Sequence, residues 1–224
     1  MAHGNTGNQN ARKYTCNESI FSSDHPDIPY WLGWLITDGC ILDKHGPQVS
    51  LELHKKDKLI IQEFSKFLNY TGKIYYKVSP KTNMCGISIN SSKLVDDLIN
   101  KFNITPRKTY NAKINKDLEF NNLFWRGAIE GDGSVFFIDD KININFISAS
   151  EEFIEQYAAY CYSIIKTNRK IATNEYGTYY LTFSNYLALD IIKKIYKDNG
   201  PKLARKYDLV KNLILKDSIY SKDM

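Results

Sequence analysis

The chain has 224 residues, of which 43% are hydrophobic, enough apolar material to bury a real core. Lys and Arg outnumber Asp and Glu by 30 to 25, a basic excess that permits nucleic-acid binding without proving it. Cys16, Cys40, Cys85 and Cys161 show no CxxC pairing, no run of 18 apolar residues exists and no signal peptide is visible. These features exclude zinc-finger, disulfide-scaffold and membrane-span readings and predict a soluble intracellular protein with reduced thiols.

Residues 1–27 read as a polar tail, with an Asn-rich stretch over 4–10 followed by Arg12 and Lys13. Such a segment buries too little surface to order itself, and its basic residues could at most touch DNA phosphates. Asp27-Ile28-Pro29 opens a first helix, with Pro where its missing N–H does no harm. A short strand over 40–43 turns through 44–47 into 48–54, where Val49, Leu51 and Leu53 alternate with polar residues. Helical spacing over 55–69 puts Leu59, Ile60, Phe64, Phe67 and Leu68 on one stripe. Strands over 72–78 and 84–90 follow, and Ser91 or Ser92 caps a helix carrying Leu94, Val95, Leu98, Ile99 and Phe102.

Residues 103–120 read as a linker, after which the order repeats. A helix over 121–131 precedes strands over 134–138 and 141–148, and Ser150 caps the next helix. Strands near 169–173 and 178–184, a helix over 186–197 and a last helix with Leu203, Tyr207 and Val210 complete the pattern. The expected organisation is two similar α-β-β-α-β-β-α halves, 28–102 and 121–215, with a C-terminal tail over 216–224.

One short pattern recurs at the head of each half. Trp31-Leu32-Gly33-Trp34-Leu35-Ile36-Thr37-Asp38-Gly39 matches Trp125-Arg126-Gly127-Ala128-Ile129-Glu130-Gly131-Asp132-Gly133 at Trp, Gly, Asp and Gly. Each begins as an apolar helix and ends in Asp-Gly, where the glycine is expected to take a left-handed C-cap conformation. Gly33 and Gly127 would let two helices approach backbone to backbone, so that both helices end together and bring Asp38 and Asp132 to one place. Two carboxylates beside helix C-termini repel each other, and a divalent cation relieves the repulsion. Oxygen ligands of this kind suit Mg²⁺, which can activate water and stabilise in-line displacement at phosphorus. The residues point to metal-assisted phosphodiester hydrolysis.

Both windows resemble the signature of the LAGLIDADG homing endonucleases in their single-chain, two-motif form, over roughly residues 28–215. The resemblance implies an α+β fold with pseudo-twofold halves, the motif helices packed at the centre and two antiparallel sheets forming a DNA-binding saddle. It further implies a monomer that cuts both strands of a long, asymmetric double-stranded DNA site with Mg²⁺. Asp38 and Asp132 would be the essential metal ligands, joined by the backbone carbonyls of Thr37 and Gly131. Lys108 and Lys206, in the matching segments Arg107-Lys108-Thr109-Tyr110 and Arg205-Lys206-Tyr207, are the candidate basic residues beside the acids. His54 and Lys55 are further candidates near them. The chain departs from the pattern at Ile36, where the first acid of the motif usually stands and where the second copy keeps Glu130. Trp34 and Arg126 are bulkier than the usual motif residues.

Alternation assigns the polar faces of the strands. They are Gln48, Ser50, Glu52 and His54, with Lys73, Tyr75, Lys77, Ser88 and Asn90, in the first half. In the second they are Lys141, Asn143, Asn145, Lys170, Thr178, Tyr180, Thr182 and Ser184. Side chains of these types read base edges in the major groove, and they are the candidate DNA contacts. The alternatives are an RNA maturase binding intron RNA, and a catalytically silent DNA-binding regulator on the same scaffold. The four histidines form no HNH cluster and no P-loop is present, so those nuclease and ATPase classes are set aside.

Overall fold

The computed structural model describes residues 13–44 and 46–220. Two helices sit at the centre, α1 (Ile28–Thr37) and α5 (Asn122–Asp132). Every residue of α1 from Tyr30 to Ile36 and of α5 from Phe124 to Glu130 is buried, as befits helices enclosed on all sides. They pack against each other at the glycines. A Cβ on Gly33 would come within 2.6 Å of Ala128 N and closer still to Phe124 O, and one on Gly127 would run into Tyr30 O.

Each half supplies a four-stranded antiparallel sheet. In the first, β1 (Gly39–Leu42), β2 (Gln48–His54), β3 (Tyr75–Ser79) and β4 (Thr82–Asn90) lie in the order β1-β2-β4-β3. In the second, β5 (Gly133–Ile138), β6 (Lys141–Ser148), β7 (Ala172–Thr173) and β8 (Tyr179–Ser184) repeat it as β5-β6-β8-β7. The helices α2 (Lys58–Phe67) and α3 (Ser92–Phe102) belong to the first half; α6 (Glu151–Ile165) and α7 (Asn185–Ile195) take their places in the second. A short α4 (Lys116–Glu119) lies between the halves and α8 (Ala204–Tyr220) follows them. The fold is α+β, with the two-half order that the periodicity predicts. No helix among the described residues is long and apolar enough to cross a membrane.

The tryptophan shared by the two motifs anchors each central helix to its own half. Trp31 packs on Phe64 and Phe67, with ring centroids 5.0 and 5.6 Å away. Trp125 stacks on Phe153 and Tyr160, both at 5.5 Å. Side-chain caps fix the helix starts: Ser91 accepts from Leu94 N, Ser150 from Phe153 N and Asn121 from Phe124 N.

Several expectations need correction. Gly39 and Gly133 do not take a left-handed C-cap conformation; each is the first residue of a strand, Gly133 being extended at φ −88° and ψ 165°. Glycine is needed there for space, because a Cβ would lie 2.5 Å from Leu35 O at Gly39 and 2.6 Å from Ile129 O at Gly133. Residues 13–27 are not a loose tail. Ile20 and Phe21 are buried, and Asn17 N and Thr71 N bond to the carbonyls of Leu68 and Thr15. Arg12 and the earlier residues lie outside the described ones, as does His45 in the β1–β2 turn. α2 starts three residues late, after a 3-10 turn over Lys55–Asp57, which exposes Leu59 and buries Ile61 in its place. β7 is only two residues long, so Lys170 precedes it; Lys73 and Thr178 also lie just outside β3 and β8. Residues 103–120, expected as the linker, are tied down against the second half: Gln156 bonds both the N–H and the carbonyl of Ile114, and Ser150 Oγ donates to Ala112 O. α8 runs through Tyr220, into the segment expected to be a tail.

Candidate metal and nucleic-acid site

α1 and α5 end together, and the two acids meet there. Asp38 is the C-cap of α1 and Asp132 the last residue of α5. A Cβ on Gly131, the residue before Asp132, would stand 2.5 Å from Asp38 Oδ2 and closer to Thr37 Oγ1. The second copy therefore carries no side chain where the first carries Thr37, because Thr37 fills that space. Thr37 Oγ1 also lies 3.0 Å from Asp38 Oδ2 and within reach of the carbonyls of Gly33 and Trp34.

Burial raises the pKa of Asp38 above the usual carboxylate range, opposed by the Thr37 hydroxyl, Lys206 and Lys108. Asp132 is exposed to solvent by surface area, yet it stands among many protein atoms at the junction of the two helix ends. Burial first and the Asp38 charge second push it up to about 6. These are two like charges held together at the negative ends of two helix dipoles.

Two lysines stand at those helix ends in matching places. Lys108, in the segment between the halves, donates to Gly39 O. Lys206, in the first turn of α8, donates to Ile129 O at 2.8 Å, Glu130 O at 2.7 Å and Gly133 O at 2.5 Å. Burial lowers the pKa of both, Lys206 to about 8 with the Arg205 charge adding to the effect. An ammonium has three protons, and all three of Lys206 are taken by carbonyls. What Lys206 brings to the acids is charge rather than a free donor.

The donor set suits a hard divalent cation. It offers two carboxylates with backbone carbonyls beside them, and no cluster of three His, Cys, Asp or Glu exists among the described residues. Mg²⁺ commonly binds through one or two carboxylates and completes its shell with water and substrate oxygens, so the residues present fit it.

The first acid position of the second motif has another use. Glu130 is buried, accepting from Tyr30 OH at 2.7 Å, Leu203 N at 2.8 Å and Tyr196 OH at 3.0 Å. Burial raises its pKa to about 7. It ties the two central helices to α7 and to the entry of α8, while Ile36 fills the matching position in α1 with apolar volume. Arg126 is also buried and turns away from the α1 interface, donating to the carbonyls of Ile195, Asp198 and Pro201 around the end of α7. The helix interface is undisturbed by its bulk.

The outer faces of the sheets flank the acids. In the first half, Gln48, Ser50, Glu52 and His54 of β2 pair with Asn90, Ser88, Gly86 and Met84 of β4, and Tyr75 and Lys77 extend the face on β3. Gln48 Nε2 donates to Asn90 Oδ1, and Lys77 pairs with Glu52 at 2.5 Å. In the second half, Lys141, Asn145, Tyr180, Thr182 and Ser184 share the face; Thr182 bonds Asn145 at 2.9 Å. Asn143 has the expected parity but is buried, its amide satisfied by Lys141 O and Ser184 Oγ. Lys73, Lys170 and Thr178 border the sheets rather than sit within them. The polar-residue pattern overlooked the apolar members of these faces, Leu42, Phe136, Ile138 and Ile147, although continuing the 141, 143, 145 alternation reaches Ile147. A cleft of about 790 Å³ opens beside Thr37, lined by Cys40, Leu42, Pro106, Arg107 and Lys108.

Residues 119–196 match the family model of the LAGLIDADG-like domain. No curated protein matches the chain. Among solved structures, it is similar to the LAGLIDADG meganuclease I-AabMI bound to uncleaved DNA, with 13% identity, 87% of this chain and 92% of that one covered, and a TM-score of 0.54. It is also similar to the I-SmaMI LAGLIDADG homing endonuclease bound to cleaved DNA, at 12% identity, 87% and 90% coverage and a TM-score of 0.57. A third similar structure is the homing endonuclease I-WcaI bound to its DNA recognition sequence, at 14%, 86% and 87%, and 0.58. At such identities the likeness is one of fold. The chain has the single-chain, two-half LAGLIDADG fold, and its second half carries the LAGLIDADG-like domain in sequence as well.

Proposed function

We propose that this protein is a monomeric, site-specific DNA endonuclease that hydrolyses phosphodiester bonds in both strands of a long, asymmetric duplex with Mg²⁺. One observation carries the reading: two carboxylates converge where two glycine-packed helices end, with a lysine at each end. The three solved structures named above are bound to DNA, which supports duplex DNA as the partner.

The residues divide the work. Asp38 and Asp132, with the carbonyls of Thr37 and Gly131, would hold Mg²⁺, which when bound supplies charge neutralisation at the phosphate and an activated water. Lys108 and Lys206 offset the negative helix ends and keep the local potential tolerable for an incoming phosphate. The outer sheet faces present Gln48, Ser50, Glu52, Asn90, Asn145, Thr182 and their neighbours to the major groove. Because the two faces differ in sequence, the target is asymmetric.

The test is a Mg²⁺-dependent cleavage selection on a randomised duplex library, with Asp38→Asn and Asp132→Asn run beside the parent. Long sites cut by the parent and by neither variant are the expected result. Sites bound but left uncut by the parent would point instead to a silent regulator. No DNA binding at all would move the function to intron RNA.

A further inference from the structure

The second sheet carries an apolar pair on the face that the proposed function turns toward DNA. Ile147 points outward from β6, between the inward Phe146 and Ser148, and is 42% exposed. Its cross-strand partner is Tyr180 of β8, also exposed. The next row of the same face is polar, Asn145 opposite Thr182. Phe146 pairs with Gly133, the residue after Asp132, so Ile147 sits on the strand next to β5 at its acid end.

The matching position in the first half has the opposite chemistry. Leu51 pairs with Gly39, the residue after Asp38, and Glu52 follows it. The Lys77 ammonium and the Tyr75 hydroxyl hold the Glu52 carboxyl below the usual range. The two halves therefore set a carboxylate and a branched alkyl group at equivalent places beside the acids.

We infer that Ile147, backed by Tyr180, is a specificity residue that reads the C5 methyl of a thymine in the half-site under the second sheet. The inference rests on the DNA-endonuclease reading. The thymine methyl is the apolar group of the major-groove edge, and an exposed aliphatic side chain next to the hydrogen-bonding row of Asn145 and Thr182 is complementary to it. The other apolar members of this face, Phe136 and Ile138, lie toward the hairpin end of β5, away from the acids. A cross-strand apolar pair also supports the sheet in the free protein. That role involves no base.

The probe is the duplex recovered by the cleavage selection, with each thymine replaced singly by deoxyuridine, which removes the methyl and leaves pairing intact. Affinity is read by fluorescence anisotropy without divalent cation. The parent should lose about fourfold at one position under the second sheet, the equivalent of one buried methyl at ~0.8 kcal/mol. Ile147→Ala should bind the thymine and deoxyuridine duplexes alike at that position, and Ile147→Val should keep most of the difference. A parent that binds its site yet shows a flat scan, or an Ile147→Ala variant with the parent's sensitivity, overturns this inference alone. Recovery of no duplex overturns it together with the endonuclease reading.

Discussion

Two carboxylates at one point make each other's ionisation harder, and that coupling is measurable at a single residue. Asp132 is raised to about 6, by burial first and by the Asp38 charge second. Its folded value lies above its unfolded one, so folding takes up a proton between about 3.8 and 6 and stability falls as pH rises through that window. Protons and a divalent cation also compete for the same oxygens, so cutting should weaken below pH ~6. In Asp38→Asn the second cause disappears while burial and the two lysines remain. A carbon-13 NMR titration of the Asp132 carboxyl should show its midpoint move down, part of the way to the ordinary range. An unchanged or higher midpoint would mean that the acids are not coupled. The placement of both acids and both lysines at the helix ends is legible in the sequence, the acids from a repeated Asp-Gly after an apolar run and the lysines from the family resemblance together with the repeated Arg-Lys segments. The burial of Glu130 and Arg126 leaves none, since their partners Tyr30, Tyr196, Leu203, Ile195 and Pro201 come from elsewhere in the chain.

At the scale of elements, the glycines decide how close the acids come. Gly33→Ala would gain about 1 kcal/mol of helix propensity, but its methyl would meet backbone atoms of α5, which cannot swing aside as a side chain would. The overpacking cost of about 1–3 kcal/mol outweighs that gain against so close a backbone, so net destabilisation of up to about 2 kcal/mol is expected in urea melts. The helices must part, and a displacement of ~1 Å at the acids would lower cleavage about a hundredfold. A variant as stable and as active as the parent would show that the approach of α1 and α5 is not needed. Strand parity was readable because period-two alternation is a local property: Val49, Leu51, Leu53, Ile142, Ile144 and Phe146 are all buried as it predicts. Helix phase was less readable. His54 accepts from Lys56 N and starts a 3-10 turn, and that short turn rotates the α2 stripe from Leu59 to Ile61. Ile20 and Phe21 were lost in the polar average of their neighbours.

At the scale of the molecule, the second half reaches back onto the first. Arg205, beside Lys206 at the start of α8, grips Asp57 at the start of α2 through Nε–Oδ1 at 2.8 Å and Nη2–Oδ2 at 3.0 Å. The partners are 148 residues apart, so no local pattern could announce them. The pair is lopsided: Asp57 is nearly buried, while the Arg205 side chain is 44% exposed. A buried acid that loses its cation costs ~3–5 kcal/mol, but the solvent on Arg205 screens the pair and reduces the figure to ~1–2 kcal/mol. Arg205→Leu should lower stability by that amount in chemical denaturation. Asp57→Asn added to it should restore at least half, because the stranded charge is then gone and a residue suited to a helix N-terminus remains. The same contact fixes the turn that holds Lys206 over the α5 carbonyls. Arg205→Leu should therefore also weaken cleavage, and the double variant should recover stability more fully than activity. If the single and double variants were equally unstable, the Arg205–Asp57 pair would not be what fixes α8, and its register would rest on its other contacts, among them Leu203, Lys206, Tyr207 and Val210.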